Sequence, residues 1–385
     1  MPTAVAISCI PHPTSFAKVE KAVSAQRAVA QNDAGHIKWD RVTLAIIQAN
    51  GVYGRISRLP NGQMICSYDL SGKVWVRHSR DEGKTWHEPI FVADWPHGIL
   101  TNAELLPLRD GTLLCFYNAR PRKATGEAHA FAIGMARSTD GGKSWQAPAT
   151  LYTAGTEFSN GCWEPVAIQL PTGEVQMFFA NENPYRTTAE QEITLMRSHD
   201  GARTWSAPET VSFRAGSRDG MPVPIVLRDG QGIAMAIEDN GMSGNFKPVI
   251  VWTSAKDNWR SGVVDAKSTR RWSALQSRLP SSVYDGAPYL RQMASGETIL
   301  SFQRSDNGDL KFARMVVATG DAQARHFRNL SHPFPHTAGK SQLWNSLFVK
   351  NKDTITAISQ TEINGVSGIW SIDGRMVREA ASITR

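Results

Sequence analysis

The sequence predicts an all-β chain, a six-bladed β-propeller of four-stranded antiparallel blades behind a short N-terminal extension. Two internal repeats and a turn-rich composition predict it. The octapeptide Ser-x-Asp-x-Gly-x-(Ser/Thr)-Trp occurs at Ser79 to Trp86 and Ser138 to Trp145, and with Ala202 in place of the Gly at Ser198 to Trp205. These copies begin 59 and 60 residues apart, a period that marks a radial array or solenoid of one repeated supersecondary unit. Within each copy the Asp accepts nearby backbone N–H groups, Gly takes positive φ, and the Trp anchors the turn on an apolar layer.

The second repeat counts the blades independently. Short apolar runs broken by a turn recur around Gly62, Gly111, Gly173, Gly230, Gly296 and Asp353, each reading as a β-hairpin. They lie 49, 62, 57, 66 and 57 residues apart, so six hairpins fill the chain from about residue 50 to its end. The segment Ser254 to Trp259 (SAKDNW) reads as a decayed fourth octapeptide in the same register. Six four-stranded blades around one axis is the economical solution. Residues 1–45 form the expected extension, with weak helical periodicity over Phe16 to Ala34, and 46–385 the propeller.

Composition narrows the function. The 385 residues are 41% hydrophobic and 20% charged, with 31 Gly and 20 Pro, as in a soluble turn-rich domain. Net charge is +7, but the Lys and Arg residues are dispersed, which argues against a nucleic-acid partner. No apolar run is long enough to cross a membrane. The four cysteines, among them Cys66 and Cys115 at matching hairpin positions, have no metal-ligand spacing and read as buried free thiols. None of the ten histidines falls in a ligand pattern, so no metal and no cofactor are expected. The opening PTAVAISCIPHPTSF lacks the basic start and apolar run of a secretory signal.

The register also locates the chemistry. A blade's first strand lies nearest the axis, and its hairpin returns the second strand to the face where the first began. Counting back nine from each turn gives Tyr53 (with Arg55), Asn102, Glu164, Met221 (with Arg218 and Asp219), Ala287 (with Tyr284 and Asp285) and Trp344. Counting forward about eight gives Asp69, Arg120, Asn181 with Glu182, Glu238, Arg304 and Glu362. These residues should crowd one axial mouth.

Glu164 and Glu238 stand out there, each beside a run that should be buried. A carboxyl next to Trp163 and Pro165 should have a raised pKa, as a general acid requires. A second carboxylate across the pocket would supply the nucleophile or base of glycoside hydrolysis. Taken singly, each Glu reads as a strand-end partner of a nearby arginine; taken together at corresponding ends of adjacent blades, the two favour a site. Arg55, Arg120, Arg218 and Arg304 either clamp an acidic substrate or neutralise Asp69, Asp219 and the glutamates. Trp163 and Trp344 either stack on a sugar ring or fill the core between blades.

The octapeptides resemble the Asp-box (BNR) repeats of the sialidase superfamily, which lie on the periphery of that fold. The strings GCWEPVAIQLPTGEVQMFFANENP, SRDGMPVP, IED at Glu238, YDGAPYL with ILSFQRSD, and LWNSLFV resemble, in order, blade-entry segments of glycoside hydrolase family 93. The resemblance spans about residues 50 to 350. It implies an exo-acting, retaining α-1,5-L-arabinanase releasing arabinobiose, with Glu164 and Glu238 as its catalytic pair. Arg55, Asn102, Arg120, Asn181, Arg218, Asp219, Arg304, Trp163 and Trp344 would then bind sugar or tune the carboxylates. The segment MSGNFKPV after Gly241 departs from that family's pattern. GRISRLPNG resembles the arginine-bearing first-strand entry of sialidases, with Ser57 in place of the usual Pro. On that alternative Tyr284 is the nucleophile, backed by Glu, and Arg55, Arg218 and Arg304 hold the substrate carboxylate. A third alternative is a non-catalytic carbohydrate-binding propeller. The expected partner is an oligo- or polysaccharide, the expected state a monomer, and the substrate class favours a secreted or periplasmic location.

Overall fold

The computed structural model describes residues 35–122 and 128–378; Cys9 and the expected helical stretch Phe16 to Ala34 lie outside them. Among the described residues strand β1 (His36–Ala49) comes first in sequence, and it is last in the circle. Blade 1 is β2 (Val52–Arg58), β3 (Met64–Leu70), β4 (Lys73–Ser79) and β5 (Ile90–Ala93). Blade 2 is β6 (Gly98–Pro107), β7 (Leu113–Pro121), β8 (Ala132–Ser138) and β9 (Ala149–Thr153). Blade 3 is β10 (Cys162–Gln169), β11 (Val175–Asn181), β12 (Glu192–Ser198) and β13 (Glu209–Ser212). Blade 4 is β14 (Asp219–Val226), β15 (Gly232–Asp239), β16 (Lys247–Ser254) and β17 (Arg271–Ser273). Blade 5 is β18 (Tyr284–Gln292), β19 (Thr298–Ser305), β20 (Arg314–Gly320) and β21 (Arg328–Ser331). Blade 6 is β22 (Leu343–Val349), β23 (Thr354–Ile363) and β24 (Val366–Val377), completed by β1.

The six-bladed, four-stranded antiparallel architecture is as the repeats predict, with one correction at its start. The propeller begins at His36, ten residues before the expected boundary, because β1 pairs antiparallel with β24 from His36↔Val377 to Ala49↔Gly368. This pairing covers the edge of the last blade with β1, so the ring closes and that edge is not left open.

Inner strands β2, β6, β10, β14, β18 and β22 touch one another in a closed ring. These strands and their neighbours pack in buried apolar layers between successive blades, such as Val223, Tyr289, Phe302 and Leu347 across blades 4 to 6. Each octapeptide forms the turn between a blade's third and fourth strands, on the face opposite the mouth. Asp81 accepts from the Thr85 N–H at 2.9 Å, Ser79 Oγ accepts from the Gly83 N–H at 2.9 Å, and Trp86 packs on the adjoining layer. The repeat therefore builds the scaffold and stands away from the chemistry.

Every inner strand carries the same irregularity. Its pairing with the second strand slips at one place, the signature of a β-bulge. The residue there is Tyr53, Asn102, Glu164, Met221, Ala287 or Trp344, with φ of 55°, 58°, 48°, 48°, 49° and 51°. These are the six positions reached by counting back nine from the turns. A non-glycine residue in this left-handed region costs about 1 kcal/mol, so six equivalent copies around one axis mark a built feature that re-aims side chains into the mouth.

Candidate active site

Glu164 stands on the bulge of β10, half-buried, with its Oε1 3.7 Å from Arg120 Nη2. Arg120 is held on three sides: it donates to Asn102 Oδ1 and Asn118 Oδ1, both at 2.7 Å, and lies 4.9 Å over the Trp163 ring. Burial pushes the Glu164 carboxyl up to about 7, against Arg120, and the Glu238 and Glu182 charges push the same way as burial. Trp163 is buried and donates through Nε1 to Glu182 at 3.1 Å, while Glu182 also takes a hydrogen bond from Arg218. Trp163 thus backs Glu164 and presents no open face of its own.

Glu238, near the end of β15 in the next blade, lies across from Glu164 closely enough for the two charges to interact. Its Oε2 accepts the Ala287 N–H at 2.7 Å. Burial pushes it up to about 7, opposed by that N–H and by Arg218. Two glycines make room for it. A Cβ on Gly220 would stand 3.0 Å from Glu238 Oε1, and one on Gly286 would collide with both the Glu238 carboxylate and the Tyr284 hydroxyl. The Tyr284 hydroxyl accepts a 3.5 Å hydrogen bond from Gln303, and burial with the Glu238 charge keeps it protonated far above the ordinary tyrosine range.

Trp344 is half-buried at the mouth and stacks on Tyr53, ring centroids 4.7 Å apart and planes at 21°. Burial and the Glu164 charge raise the Tyr53 hydroxyl well above its usual value. Asp69, at the end of β3, is buried and pushed up to about 7 by that burial, with the Thr101 hydroxyl donating to it. Below Glu164 the axis holds a cavity of only about 20 Å³, lined by Arg55, Asn102, Glu104, Tyr289 and Asn345.

The remaining sequence candidates fall into two groups. Arg55, Arg218 and Arg304 each meet a carboxylate: Glu104 at 3.1 Å, which Arg291 also approaches to 3.9 Å, Glu182, and Asp285 in a fork of 2.8 and 2.7 Å. Asn181 and Asp219 lie behind the mouth. Asn181 is buried against Thr194 and Tyr152, and Asp219 is locked by Arg271 and Ser212. Counting along the strands brought Tyr53 and Asp69 to the mouth without assigning them a role. It did not reveal Phe158, 68% exposed on a three-residue turn before β10 with its ring 4.6 Å from Trp163. An exposed aromatic beside a site segment is a signal, but the sequence does not tell an exposed Phe from a core one.

Among the described residues no cluster of His, Cys, Asp and Glu could hold a metal ion, and no helix is long and apolar enough to cross a membrane. Chemically, the mouth offers two half-buried carboxyls, a tyrosine hydroxyl beside one of them, and an aromatic stack.

Solved structures share this fold. An α-L-arabinanase of Penicillium chrysogenum complexed with arabinobiose superposes with a TM-score of 0.65 at 17% identity, covering 89% of this chain and 97% of that one. The family 93 α-L-arabinofuranosidase of Fusarium graminearum with arabinobiose gives 0.62 at 16% identity, again covering 89% and 97%. A sialidase of Streptococcus pneumoniae gives 0.59 at 11% identity, covering 88% and 70%. The likeness is one of fold, a glycoside hydrolase-like propeller. No curated protein matches the sequence. A model described as the BNR repeat-like domain matches residues 111–309, more than half of the sequence and most of blades 2 to 5, and the chain belongs to that family.

Proposed function

We propose that the chain is an exo-acting, retaining glycoside hydrolase that cleaves an α-L-arabinan or a related neutral polysaccharide with Glu164 and Glu238. The observation that carries the reading is the pair itself: two carboxyls on adjacent blades, each pushed up to about 7 by burial, with the charge of Glu238 adding to the rise of Glu164. One of the two then keeps its proton near neutrality while the other is charged, which is the division of labour that retaining hydrolysis needs. Glu164 is the acid. Its arginine is 3.7 Å away, and the charge of Glu238 favours its protonated form. Glu238 is the nucleophile, its charge held by the Ala287 N–H. Glu238 attacks the anomeric carbon as Glu164 gives its proton to the departing glycosidic oxygen. Water then gives that proton back to Glu164 and releases the sugar from its ester with Glu238.

A neutral substrate is supported by the arginines, since Arg55, Arg218 and Arg304 are each already matched by a carboxylate. A second reading has one observation in its favour. Tyr284 and Glu238 crowd the same point beside Gly286, the couple a sialidase would use as nucleophile and base. Product analysis on arabino-oligosaccharides and an aryl sialoside separates the readings. Release of a short arabinoside from chain ends, abolished in Glu164→Gln and Glu238→Gln, is expected; with Glu238→Gly, added azide should yield the inverted glycosyl azide. Turnover of the sialoside alone overturns the arabinanase reading, and sugar binding without turnover points to a non-catalytic module.

A further inference from the structure

We infer that the pocket between blades 6 and 1, on the same face as the mouth, is a distal subsite for an uncleaved residue of a neutral sugar chain. The inference rests on the glycosidase reading above and extends it outward from the scissile bond. The pocket has a volume of about 340 Å³ and is walled by Asn50, Lys340, Gln360, Thr361, Glu362 and Ser367. Gly51, Gly339 and Gly368 line it as well. At Gly339 no atom lies within 4 Å of where a Cβ would stand, so the space is open at that point.

The chemistry of the walls selects the ligand. Lys340 Nζ donates to Glu362 Oε2 at 2.8 Å and the Ser367 hydroxyl donates to the same oxygen at 2.9 Å. The two charges cancel, which disfavours an anion and leaves a surface of mixed donors and acceptors, suited to hydroxyl groups. The side-chain oxygen of Gln360 is buried with no hydrogen-bond partner. Such an atom is left short of a donor, and a sugar hydroxyl is a suitable one.

Position links the pocket to the reaction. Leu343 lines it, and the next residue is Trp344. Asn50 and Gly51 lead directly into β2 and Tyr53. The Tyr53–Trp344 stack therefore lies between the pocket and Glu164, whose charge Tyr53 feels. A chain with one ring at the carboxyl pair and another beside Trp344 reaches this pocket with its next residues.

The test uses the full chain carrying Glu164→Gln, titrated calorimetrically with arabinobiose and with arabinohexaose, alone and with Lys340→Ala plus Glu362→Ala. Both added changes are at partly exposed side chains, and thermal melts check the fold. The hexaose is expected to bind at least tenfold more tightly than the biose, and the added changes to reduce that ratio to about threefold or less. An unchanged ratio overturns the subsite. So does its loss on Arg278→Ala, in the groove between blades 4 and 5, which would carry the chain the other way. If the unsubstituted protein neither binds nor cleaves any arabino-oligosaccharide, the glycosidase reading falls and the subsite with it, whereas cleavage with an unchanged ratio overturns the subsite alone.

Discussion

Ala287 donates its backbone N–H to Glu238 Oε2 at 2.7 Å, and it does so from a left-handed conformation with φ of 49°. The bulge strain of blade 5 is thereby coupled to the charge state of a carboxyl in blade 4. Blade 3 uses the equivalent bulge differently, placing Glu164 itself at the strained position. One backbone device repeated six times thus supplies a side chain in one blade and a hydrogen-bond donor in another.

The crowding at Gly286 gives the sharpest test of this arrangement. Gly286→Ala is expected to lower kcat by about 100-fold or more, since displacing reacting groups by about 1 Å costs on that order. The Cβ meets side-chain atoms of Glu238 and Tyr284, so the fold should survive with a loss of about 1–3 kcal/mol. Steady-state kinetics beside a thermal melt checks both halves, and full activity would show that Glu238 does not need its present place.

Stability should run against pH in a defined direction. Glu164 and Glu238 are pushed up to about 7 from an ordinary 4.5, so between those values the folded chain binds more protons than the unfolded one. Stability from these groups is then full below about pH 4.5 and is lost as pH rises through about 7. Glu164→Gln should abolish activity yet stabilise the chain at pH 8, by at most about 3 kcal/mol. Denaturant melts of both proteins at pH 5 and pH 8 measure it, and equal stability at the two pH values would remove the raised carboxyl.

Arg120 opposes the rise of Glu164, so Arg120→Gln should move the alkaline limb of the kcat profile upward by about one pH unit or more. Arg120→Lys keeps the charge and should move it less. The charge of Glu238 raises Glu164 in the same direction as burial, so ionisation of Glu238 also bears on where this limb falls. A limb that stays in place in Arg120→Gln would assign the acid elsewhere.

Much of this was legible in the sequence, for a geometric reason. Each blade has the same number of residues between its bulge and its inner hairpin turn, so counting nine back from Gly62 or Gly173 lands on Tyr53 or Glu164, the strained residue itself. What pairs with what was not legible. Whether Arg304 faces a ligand or forks onto Asp285 is decided by side-chain geometry at the strand ends, which spacing does not encode. The closing strand β1 carries no turn motif and pairs with residues more than 300 positions away, as in His36 with Val377, so no local pattern announces it.

Asp219 illustrates the same limit and gives a further prediction. It is fully buried and shares Arg271 with Asp239. Removing one member of a buried ionic cluster leaves an uncompensated charge and costs about 3–5 kcal/mol. Asp219→Ala should therefore lower the melting temperature strongly, whereas a sugar-binding role would raise KM with the fold intact.

Phe158 offers the opposite case, a side chain whose loss should be felt by substrate and not by the fold. Its turn is pinned, with the Asn160 side-chain oxygen accepting the Glu157 N–H at 3.1 Å and the Asn160 carbonyl accepting the Gly155 N–H at 2.9 Å. A 68% exposed aromatic ring is thus presented rigidly beside Trp163, in the blade diametrically opposite Trp344. A polymer lying across the mouth would meet an aromatic surface on each rim. Phe158→Ser is expected to raise KM for the polymer about three- to tenfold, on the order of 1 kcal/mol of lost ring contact, with the melting temperature within about 1 °C. An unchanged KM would place the chain away from blade 3.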